Sequence, residues 1–236
     1  MIKAIFFDLD GTLLPLDESY FTKVYFKLLY EKAAPLGYEQ NSFINAIMSG
    51  TKAMYRNDGS CTNEETFWKT YETIFGKEKL KDKIVFDEFY KKEFYNLNQA
   101  CGTNSYAKDI IEYCKTKVKI LVLSTNPIFP YDAQAARLSF INLKPNDFTY
   151  ITSYENSSFC KPNPMYFKML LDKFNLKPDE VILFGNNTYE DADCANSIGI
   201  KCFLIKDYLI LDKHSTNTYD IIEMNDIKII VDQYTK

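Results

Sequence analysis

A short apolar strand that ends in two carboxylates and a glycine constrains the fold of this chain more than any other feature. Residues Lys3–Phe7 are mostly apolar and include two phenylalanines, a pattern typical of a strand that is buried on both faces. Asp8, Asp10 and Gly11 follow at once. In an open parallel sheet, ligands bind outside the carboxyl ends of the strands. We therefore expect Asp8 and Asp10 at the mouth of a ligand crevice, where Gly11 lets the chain leave strand geometry.

The composition narrows the class of protein. The chain has 236 residues, of which 46% are hydrophobic and 16% aromatic, enough for a sizeable core. The net charge is −4 and no basic stripe is present, so nucleic acid is not an expected partner. The sequence contains neither a secretory signal pattern nor an apolar run of membrane length. We therefore predict a cytoplasmic protein without a membrane partner, and the oligomeric state stays open.

The cysteines and the histidine limit the chemistry. The six cysteines are scattered and form no C-x-x-C pair, which favours reduced thiols in a cytoplasmic protein. His214 is the only histidine and is interpreted as a solvated loop residue, because it lies in a polar run. A zinc site and a histidine-based catalytic triad are both disfavoured. Carboxylates and lysine are left as the groups that would carry catalysis.

The hydrophobic periodicity predicts an α/β protein. Helical patterns cover residues 17–34, 39–55, 62–76 and 84–97, and residues 62–65 form a capping box. Strands are then predicted at residues 118–123, 150–152, 181–184 and 201–205, with helices between them at 106–117, 131–138, 164–174 and 190–197. This order indicates a Rossmann-like, doubly wound, mainly parallel sheet. We predict a core of residues 1–14 and 86–236 with an all-helical cap at residues 15–85; residues 226–232 are left open as strand or helix.

Polar residues follow several of the predicted strands or precede a predicted helix. Thr125 and Asn126 follow the strand at 118–123, and Lys161 precedes a helix predicted to have Asn163 as its N-cap and Pro164 at its first position. After the strand at 181–184 come Asn186, Asn187 and Asp191. Together with Asp8 and Asp10, these side chains should meet at one edge of the sheet.

The pentapeptide at residues 8–12 and these later segments resemble, in order and residue type, the four motifs of the haloacid dehalogenase superfamily of aspartate-nucleophile hydrolases. The helical insertion looks like the C1-type cap of that superfamily. The resemblance implies that Asp8 attacks phosphorus to form a phospho-aspartyl intermediate. It also implies that Asp10 protonates the leaving oxygen and later activates water.

The resemblance further implies the groups that hold substrate and metal. Thr125, Asn126 and Lys161 would bind the phosphoryl group, and Lys161 would also pair with Asp8. Mg²⁺ would be bound by Asp8, by the backbone carbonyl of Asp10, and by a set of residues after the strand at 181–184: Asn186, Asn187 and Asp191. Two alternative interpretations stay open. In the first, Thr125 has no catalytic role and simply ends a strand. In the second, Asp191 is an acid in the first turn of a helix, where it interacts favourably with the helix dipole.

One departure from the family pattern concerns the metal. The superfamily usually has an aspartate at the start of its last motif, whereas Asn186 and Asn187 are both amides, which should hold Mg²⁺ less tightly. The predicted function is a Mg²⁺-dependent phosphatase acting on a small phosphorylated metabolite. Alternatives are a phosphomutase or a phospho-ligand-binding protein with a decayed metal site. A dehalogenase is disfavoured, because it needs no proton donor at Asp10.

Substrate specificity should depend on the cap, which is expected to close over the crevice. Lys52 and Arg56 are basic residues of the predicted cap that are candidates for contacting the substrate. A solvated helix face is the alternative reading of this pair.

Overall fold

A six-stranded sheet forms the centre of the computed structural model, which describes residues 1–213, 215 and 217–235. The strand order is β3-β2-β1-β4-β5-β6, and each pair of neighbours is parallel. The strands are β1 (Ala4–Phe7), β2 (Ile120–Leu123), β3 (Tyr150–Ile151), β4 (Val181–Gly185), β5 (Lys201–Ile205) and β6 (Asp220–Ile222). The predicted α/β fold is confirmed. The prediction for His214 lies outside the described residues.

Nine α-helices are found among the described residues: α1 (Glu18–Ala33), α2 (Gln40–Tyr55), α3 (Asn63–Phe75), α4 (Lys83–Lys91), α5 (Ala107–Lys115), α6 (Tyr131–Phe140), α7 (Met165–Phe174), α8 (Cys194–Asn196) and α9 (Ile227–Tyr234). Short 3-10 turns lie at Ala34–Leu36, Lys77–Asp82, Glu93–Ala100, Pro145–Asp147, Pro178–Glu180 and Met224–Asp226. Thr62 caps α3 through the predicted capping box. The segment left open at residues 226–232 is mostly helix α9.

Three of the predicted helices differ in detail from the helices of the structure. The pattern at 84–97 is split at Lys92, whose φ of −127° and ψ of −79° leave the helical region, so that 3-10 turns follow α4. The pattern at 190–197 begins earlier, as a π-helical turn over Thr188–Asp193. Pro164, not Asn163, occupies the N-cap position of α7, although Asn163 Oδ1 accepts a hydrogen bond from the backbone N–H of Met165.

Strand β1 is buried on both faces because its side chains alternate between two apolar layers. Ile5 and Phe7 pack into a cluster that includes residues of α1–α6 and α9. Ala4 and Phe6 pack on the opposite side, against a cluster built largely from α7, β4 and β5. Each β1 side chain is fully buried. This double coverage explains the near-continuous apolar run in the sequence.

Helices α1–α4 lie between β1 and β2 in the chain and form a helical layer beside the carboxyl edge of the sheet. The 3-10 turns at Glu93–Ala100 pack against α1 and so extend this layer past residue 85. The predicted boundary between residues 85 and 86 falls within α4. The division into core and cap stays a prediction.

Among the described residues, none of the helices combines the length and the apolar character that crossing a membrane requires.

The buried amide of Asn63 connects the start of α3 to loops of the sheet domain. Its Nδ2 donates to the carbonyl of Pro127 at 3.1 Å, and its Oδ1 accepts from Asn57 Nδ2 at 2.9 Å. Its backbone N–H donates to the carbonyl of Ser157 at 2.8 Å. These bonds hold the helical layer in register with the loops that follow β2 and β3.

We expect Asn63→Leu to lower the free energy of unfolding by about 2–4 kcal/mol. Each buried polar group left without a partner costs about 1–3 kcal/mol. The substitution leaves Asn57 Nδ2 and the Pro127 carbonyl without their hydrogen bonds to Asn63. Urea unfolding measures this loss. Asn41→Leu, the same substitution at an exposed position of α2, should change stability by less than about 0.5 kcal/mol. Similar effects for the two variants would contradict the bridging role.

Candidate active site

The end of β1 brings the first predicted motif beside the others. Asp8 N donates to the carbonyl of Phe184 at 2.9 Å, and Ser124 N donates to the carbonyl of Phe7 at 2.7 Å. Because β2 and β4 flank β1, the loops that follow all three strands converge. Gly11 has a φ of +78°, and a Cβ at this position would lie 2.1 Å from Asn186 Nδ2. Only glycine satisfies both the turn and this close approach.

The Lys161 ammonium group links two predicted carboxylates. Its side chain is almost completely buried, and Nζ lies 2.7 Å from Asp8 Oδ1 and 2.6 Å from Asp191 Oδ1. Asn126 positions the lysine backbone. Its Oδ1 accepts from Lys161 N, and its Nδ2 donates to the Lys161 carbonyl, both at 3.2 Å. Lys161 is therefore an internal charge rather than a solvated loop residue.

Asp191 holds the loop after β4. Its Oδ2 accepts hydrogen bonds from the backbone N–H groups of Asn186 at 3.0 Å and Asn187 at 3.1 Å. A Cβ at Gly185 would lie 2.5 Å from the Asp191 carboxyl carbon, so the absent side chain of Gly185 makes room for this carboxylate. With its other oxygen on Lys161, Asp191 has partners for both oxygens.

Asp8, Asp191 and Lys161 form a buried cluster with two carboxylates and one ammonium group. Burial raises the pKa of Asp8 to about 7; Lys161 opposes this rise and Asp191 adds to it. Burial lowers the pKa of Lys161, but the carboxylates of Asp191 and Asp8 outweigh it and raise the pKa well above its ordinary value. With both carboxylates ionised, the cluster carries one uncompensated negative charge.

Asp10 is held by an arginine that the sequence analysis did not identify. Arg137 on α6 is 1% exposed; its Nη1 donates to Asp10 Oδ2, and its Nη2 donates to Gln134 Oε1. The guanidinium carbon lies 4.7 Å from the centre of the Phe129 ring. Asp10 Oδ1 is buried and makes no hydrogen bond within the described part of the chain. No local sequence pattern marks Arg137, because its partner Asp10 lies 127 residues away in the chain.

The two asparagines after β4 differ in their contacts. Thr12 Oγ1 donates to Asp8 Oδ2 at 3.1 Å and lies 3.4 Å from Asn186 Oδ1. Asp8 Oδ2 and Asn186 Oδ1 therefore lie close to the same hydroxyl group. Asn186 Nδ2 donates to the carbonyl of Tyr208 at 2.9 Å. Asn187 Oδ1 instead accepts from the backbone N–H groups of the following helical turn and caps it.

The oxygens near Asp8 suit a hard cation, because Mg²⁺ binds carboxylate, carbonyl and amide oxygens and usually keeps several waters. Within the described residues, no group of three or more His, Cys, Asp or Glu side chains is arranged to hold a metal. The candidate donor set therefore combines the Asp8 carboxylate, the amide oxygen of Asn186 and a backbone carbonyl. The uncompensated negative charge of the cluster also fits a cation.

Two further residues near the Lys161 loop were missed in the sequence. Glu190 Oε2 accepts from Asn126 Nδ2 at 3.0 Å, and burial raises the pKa of Glu190 to about 7, against the opposing effect of Lys161. The Tyr55 hydroxyl lies 3.2 Å from the same Asn126 nitrogen and so connects α2 to this loop. Both contacts join residues far apart in the sequence and leave no local pattern.

All the predicted site residues line one cavity of about 600 Å³: Asp8, Asp10, Thr125, Asn126, Lys161, Asn186, Asn187 and Asp191. Helices α1–α4 supply much of the remaining wall, including Lys52 and Arg56. Thr125 is buried, and its carbonyl accepts from Thr152 Oγ1 at 2.7 Å and from the Tyr166 hydroxyl at 2.9 Å. The fold thus brings together every residue predicted for the site.

This arrangement, with one buried and one partly buried aspartate at the end of a central parallel strand and a lysine from a later loop, defines a class of hydrolases. The sequence matches the haloacid dehalogenase-like hydrolase family over residues 2–199, and the chain belongs to that family.

Individual relatives agree with this assignment. The chain is 25% identical to a glyceraldehyde 3-phosphate phosphatase of Methanothermobacter thermautotrophicus, over 96% of this chain and 97% of that protein. Its fold is similar to that of a HAD phosphatase from Thermococcus onnurineus, with a TM-score of 0.60, 17% identity and 98% of each chain covered. It is also similar to a 2-haloacid dehalogenase from Pseudomonas syringae pv. Tomato, with a TM-score of 0.65, 16% identity and coverage of 99% and 100%.

We expect Arg137→Met to lower the free energy of unfolding by about 1–3 kcal/mol, because the partly exposed Asp10 and the buried Gln134 Oε1 both lose a charged hydrogen-bond donor. Turnover should fall as well, because Asp10 loses the group that orients it. Chemical denaturation and steady-state kinetics measure the two effects. Lys69→Met, which removes an exposed charge from α3, serves as the control. A stability loss of less than about 1 kcal/mol for Arg137→Met would contradict the buried pairing.

Proposed function

We propose that this protein is a Mg²⁺-dependent phosphatase that hydrolyses a small phosphate monoester through a phospho-aspartyl intermediate. The proposal rests on one observation above all: the buried Asp8 carboxylate lies 2.7 Å from the Lys161 ammonium group, within a cavity that Asp10 also lines. A carboxylate attacks phosphorus without a base if the repulsion between two anions is offset.

In the first step, an Asp8 oxygen forms a bond to phosphorus while the bond between phosphorus and the alcohol oxygen breaks. Lys161 offsets the charge of the phosphoryl oxygens as a point charge. Thr125 and Asn126 lie beside the same space, and we assign the phosphoryl contact chiefly to Thr125. The side chain of Asn126 is used to hold the Lys161 loop.

Asp10 is the proposed proton donor to the leaving alcohol. Its Oδ2 is fixed by Arg137, which leaves Oδ1, the oxygen without a partner, for the reacting groups. In the second step, the same oxygen takes a proton from the water that attacks the phospho-aspartate. That attack releases phosphate and restores the Asp8 carboxylate.

The proposed Mg²⁺ ligands are Asp8, Asn186 and the backbone carbonyl of Asp10. When bound, the ion would supply positive charge that offsets the repulsion between Asp8 and the phosphoryl oxygens. We assign Asn187 to capping the following helical turn and Asp191 to orienting Lys161, because their side-chain oxygens already accept these hydrogen bonds. A water-mediated contact of Asp191 with the ion remains part of the proposal.

We also propose that residues 15–85, extended by the 3-10 turns at Glu93–Ala100, act as a cap whose helices complete the cavity over Asp8. The support is that α1–α4 line the same cavity as the catalytic carboxylates. The relative from Methanothermobacter thermautotrophicus acts on glyceraldehyde 3-phosphate, as its name states, which supports a phosphate monoester as the class of substrate.

We expect Asp8→Asn to abolish Mg²⁺-dependent phosphate release from phosphate monoesters. Asp10→Asn should slow turnover by roughly 10²–10⁴-fold, the range for loss of a general acid–base group. Phosphate release is measured with and without MgCl₂, and circular dichroism checks that each variant is folded. Thr73→Phe on the exposed side of α3 is a suitable control that should keep full activity. Near-normal turnover by Asp8→Asn would show that the nucleophile is assigned incorrectly.

We expect Asn186→Asp to have two opposite effects. The added carboxylate should lower the magnesium concentration needed for half-saturation, because it offsets the cost of dehydrating the ion. In metal-free protein it should cost about 1–3 kcal/mol of stability, because the Tyr208 carbonyl loses its amide donor. Thermal melting across a magnesium titration reports both effects independently of turnover.

Asn187→Asp is the matched control for this prediction. A carboxylate at position 187 accepts the same two backbone N–H groups, so the half-saturating magnesium concentration should stay unchanged. If instead only Asn187→Asp tightened magnesium binding, the ligand would be the second asparagine. An unchanged value in both variants would remove the amides from the metal site.

A further inference from the structure

The cavity is larger than a phosphoryl group and a short sugar chain require. It has a volume of about 600 Å³ and is continuous from Asp8 and Asp10 to the helices of the proposed cap. With roughly 30 Å³ for each water-sized group, this is space for about 20 non-hydrogen atoms. The cavity thus falls within the range of sites that enclose a ligand with a sizeable organic body.

The wall away from the carboxylates is aromatic and aliphatic. Its side chains come from α1, α2, α3, α4 and the loop after β2, and include Phe21, Tyr25, Phe67, Trp68, Tyr90 and Phe129. Tyr25 and Phe129 meet edge to face, with ring centres 5.3 Å apart, and Phe67 and Trp68 do the same at 5.3 Å. These are flat apolar surfaces against which a second ring would pack.

The two hydroxyls of this wall are occupied, whereas the Trp68 indole N–H is a buried donor without a hydrogen-bond partner among the described residues. The Tyr25 and Tyr90 hydroxyls bond to each other at 2.8 Å, and burial raises the pKa of Tyr25 to about 12, so this pair stays neutral. A chain of sugar hydroxyls placed here would give up hydrogen bonds to water without gaining equivalent partners. An apolar group would bury its surface without that loss.

The charged residues that line the cavity are distinct from the residues of the aromatic wall. Asp8, Asp10, Lys161 and Asp191 are at the sheet edge, with Glu190 near them. Partial burial, and then the nearby charge of Asp10, raises the pKa of Glu18, so Glu18 belongs with this group. Lys52 and Arg56 also line the cavity and are exposed side chains. The aromatic side chains themselves carry no charge.

We propose that the substrate is a phosphate monoester whose alcohol carries an aromatic or branched apolar body, and that this body fills the space between α1, α2, α3 and α4. The inference rests on the proposed phosphatase function and specifies its substrate class. The proposed substrate differs from a triose phosphate, whose carbon chain is short and polar.

The first test compares two esters of primary alcohols, phenylpropyl phosphate and glycerol phosphate, so that the leaving oxygens are chemically similar. In the presence of MgCl₂ we expect kcat/KM to be at least about 10-fold higher for phenylpropyl phosphate, since even one methylene group in an apolar pocket is worth about 10–200-fold. Equal values, or a preference for glycerol phosphate, would overturn the inference and leave the phosphatase function standing.

The second test measures binding without turnover. Trp68 is the only tryptophan of the chain and lines the aromatic wall, so its fluorescence reports occupation of this part of the cavity. Phenylpropylphosphonate, which has no ester bond to hydrolyse, should change the emission at lower concentration than dihydroxypropylphosphonate. If it does so while no monoester releases phosphate, the apolar substrate pocket stands and the phosphatase function fails. Equal binding of the two phosphonates would contradict the pocket itself.

A pair of variants locates the apolar body. Thr51 on α2 lines the cavity and Thr73 on α3 does not; each hydroxyl donates to the carbonyl four residues earlier, at 3.0 and 2.9 Å. Thr51→Phe should lower kcat/KM for phenylpropyl phosphate by about 10-fold or more and affect glycerol phosphate much less. Thr73→Phe should leave both unchanged. Equal losses for both esters in Thr51→Phe would show that the ring lies elsewhere.

Discussion

The whole site depends on one buried ammonium group that serves two carboxylates. Lys161 lies against both Asp8 and Asp191. Asp8 is 153 residues from Lys161 in the chain, and Asp191 is 30 residues from it. A buried charge without a partner is strongly unfavourable, so each of these side chains fixes the others. The single lysine does not neutralise both acids, and the remaining negative charge makes the site receptive to a cation.

Much of the polar chemistry around this group serves to hold it rather than to react. Asn126 binds both backbone groups of Lys161, and Asp191 accepts hydrogen bonds from two backbone amides. Asp10 is held in a similar way by Nη1 of Arg137, and Nη2 of the same side chain donates a hydrogen bond to Gln134. Asp10 Oδ1, the oxygen that this scaffold leaves without a hydrogen bond among the described residues, is the one that the proposed mechanism uses for proton transfer. Preorganisation of this kind would avoid spending energy on reorientation during the proposed reaction.

The parts that could be predicted from sequence are those with a local signal. The apolar run of β1 predicted a strand buried on both faces, and the polar residues after β2 and β4 were expected at one sheet edge because parallel strands place their ends together. Arg137 and Glu190 could not be found in this way. Their partners lie 127 and 64 residues away, and a buried ion pair on a helix leaves no periodic pattern. The end of α4 at Lys91 was missed because the apolar periodicity continues through Phe94 and Leu97.

The narrow space above Gly11 ties two distant positions of the sequence together. A side chain at position 11 would push directly against the amide of Asn186, which is also held by the Tyr208 carbonyl. Exchange of this glycine would therefore act on residue 186 as well as on the turn, whose φ of +78° already disfavours any other residue. The reverse also holds: a larger side chain at position 186 would meet the backbone of position 11, so the glycine limits what the second position accepts.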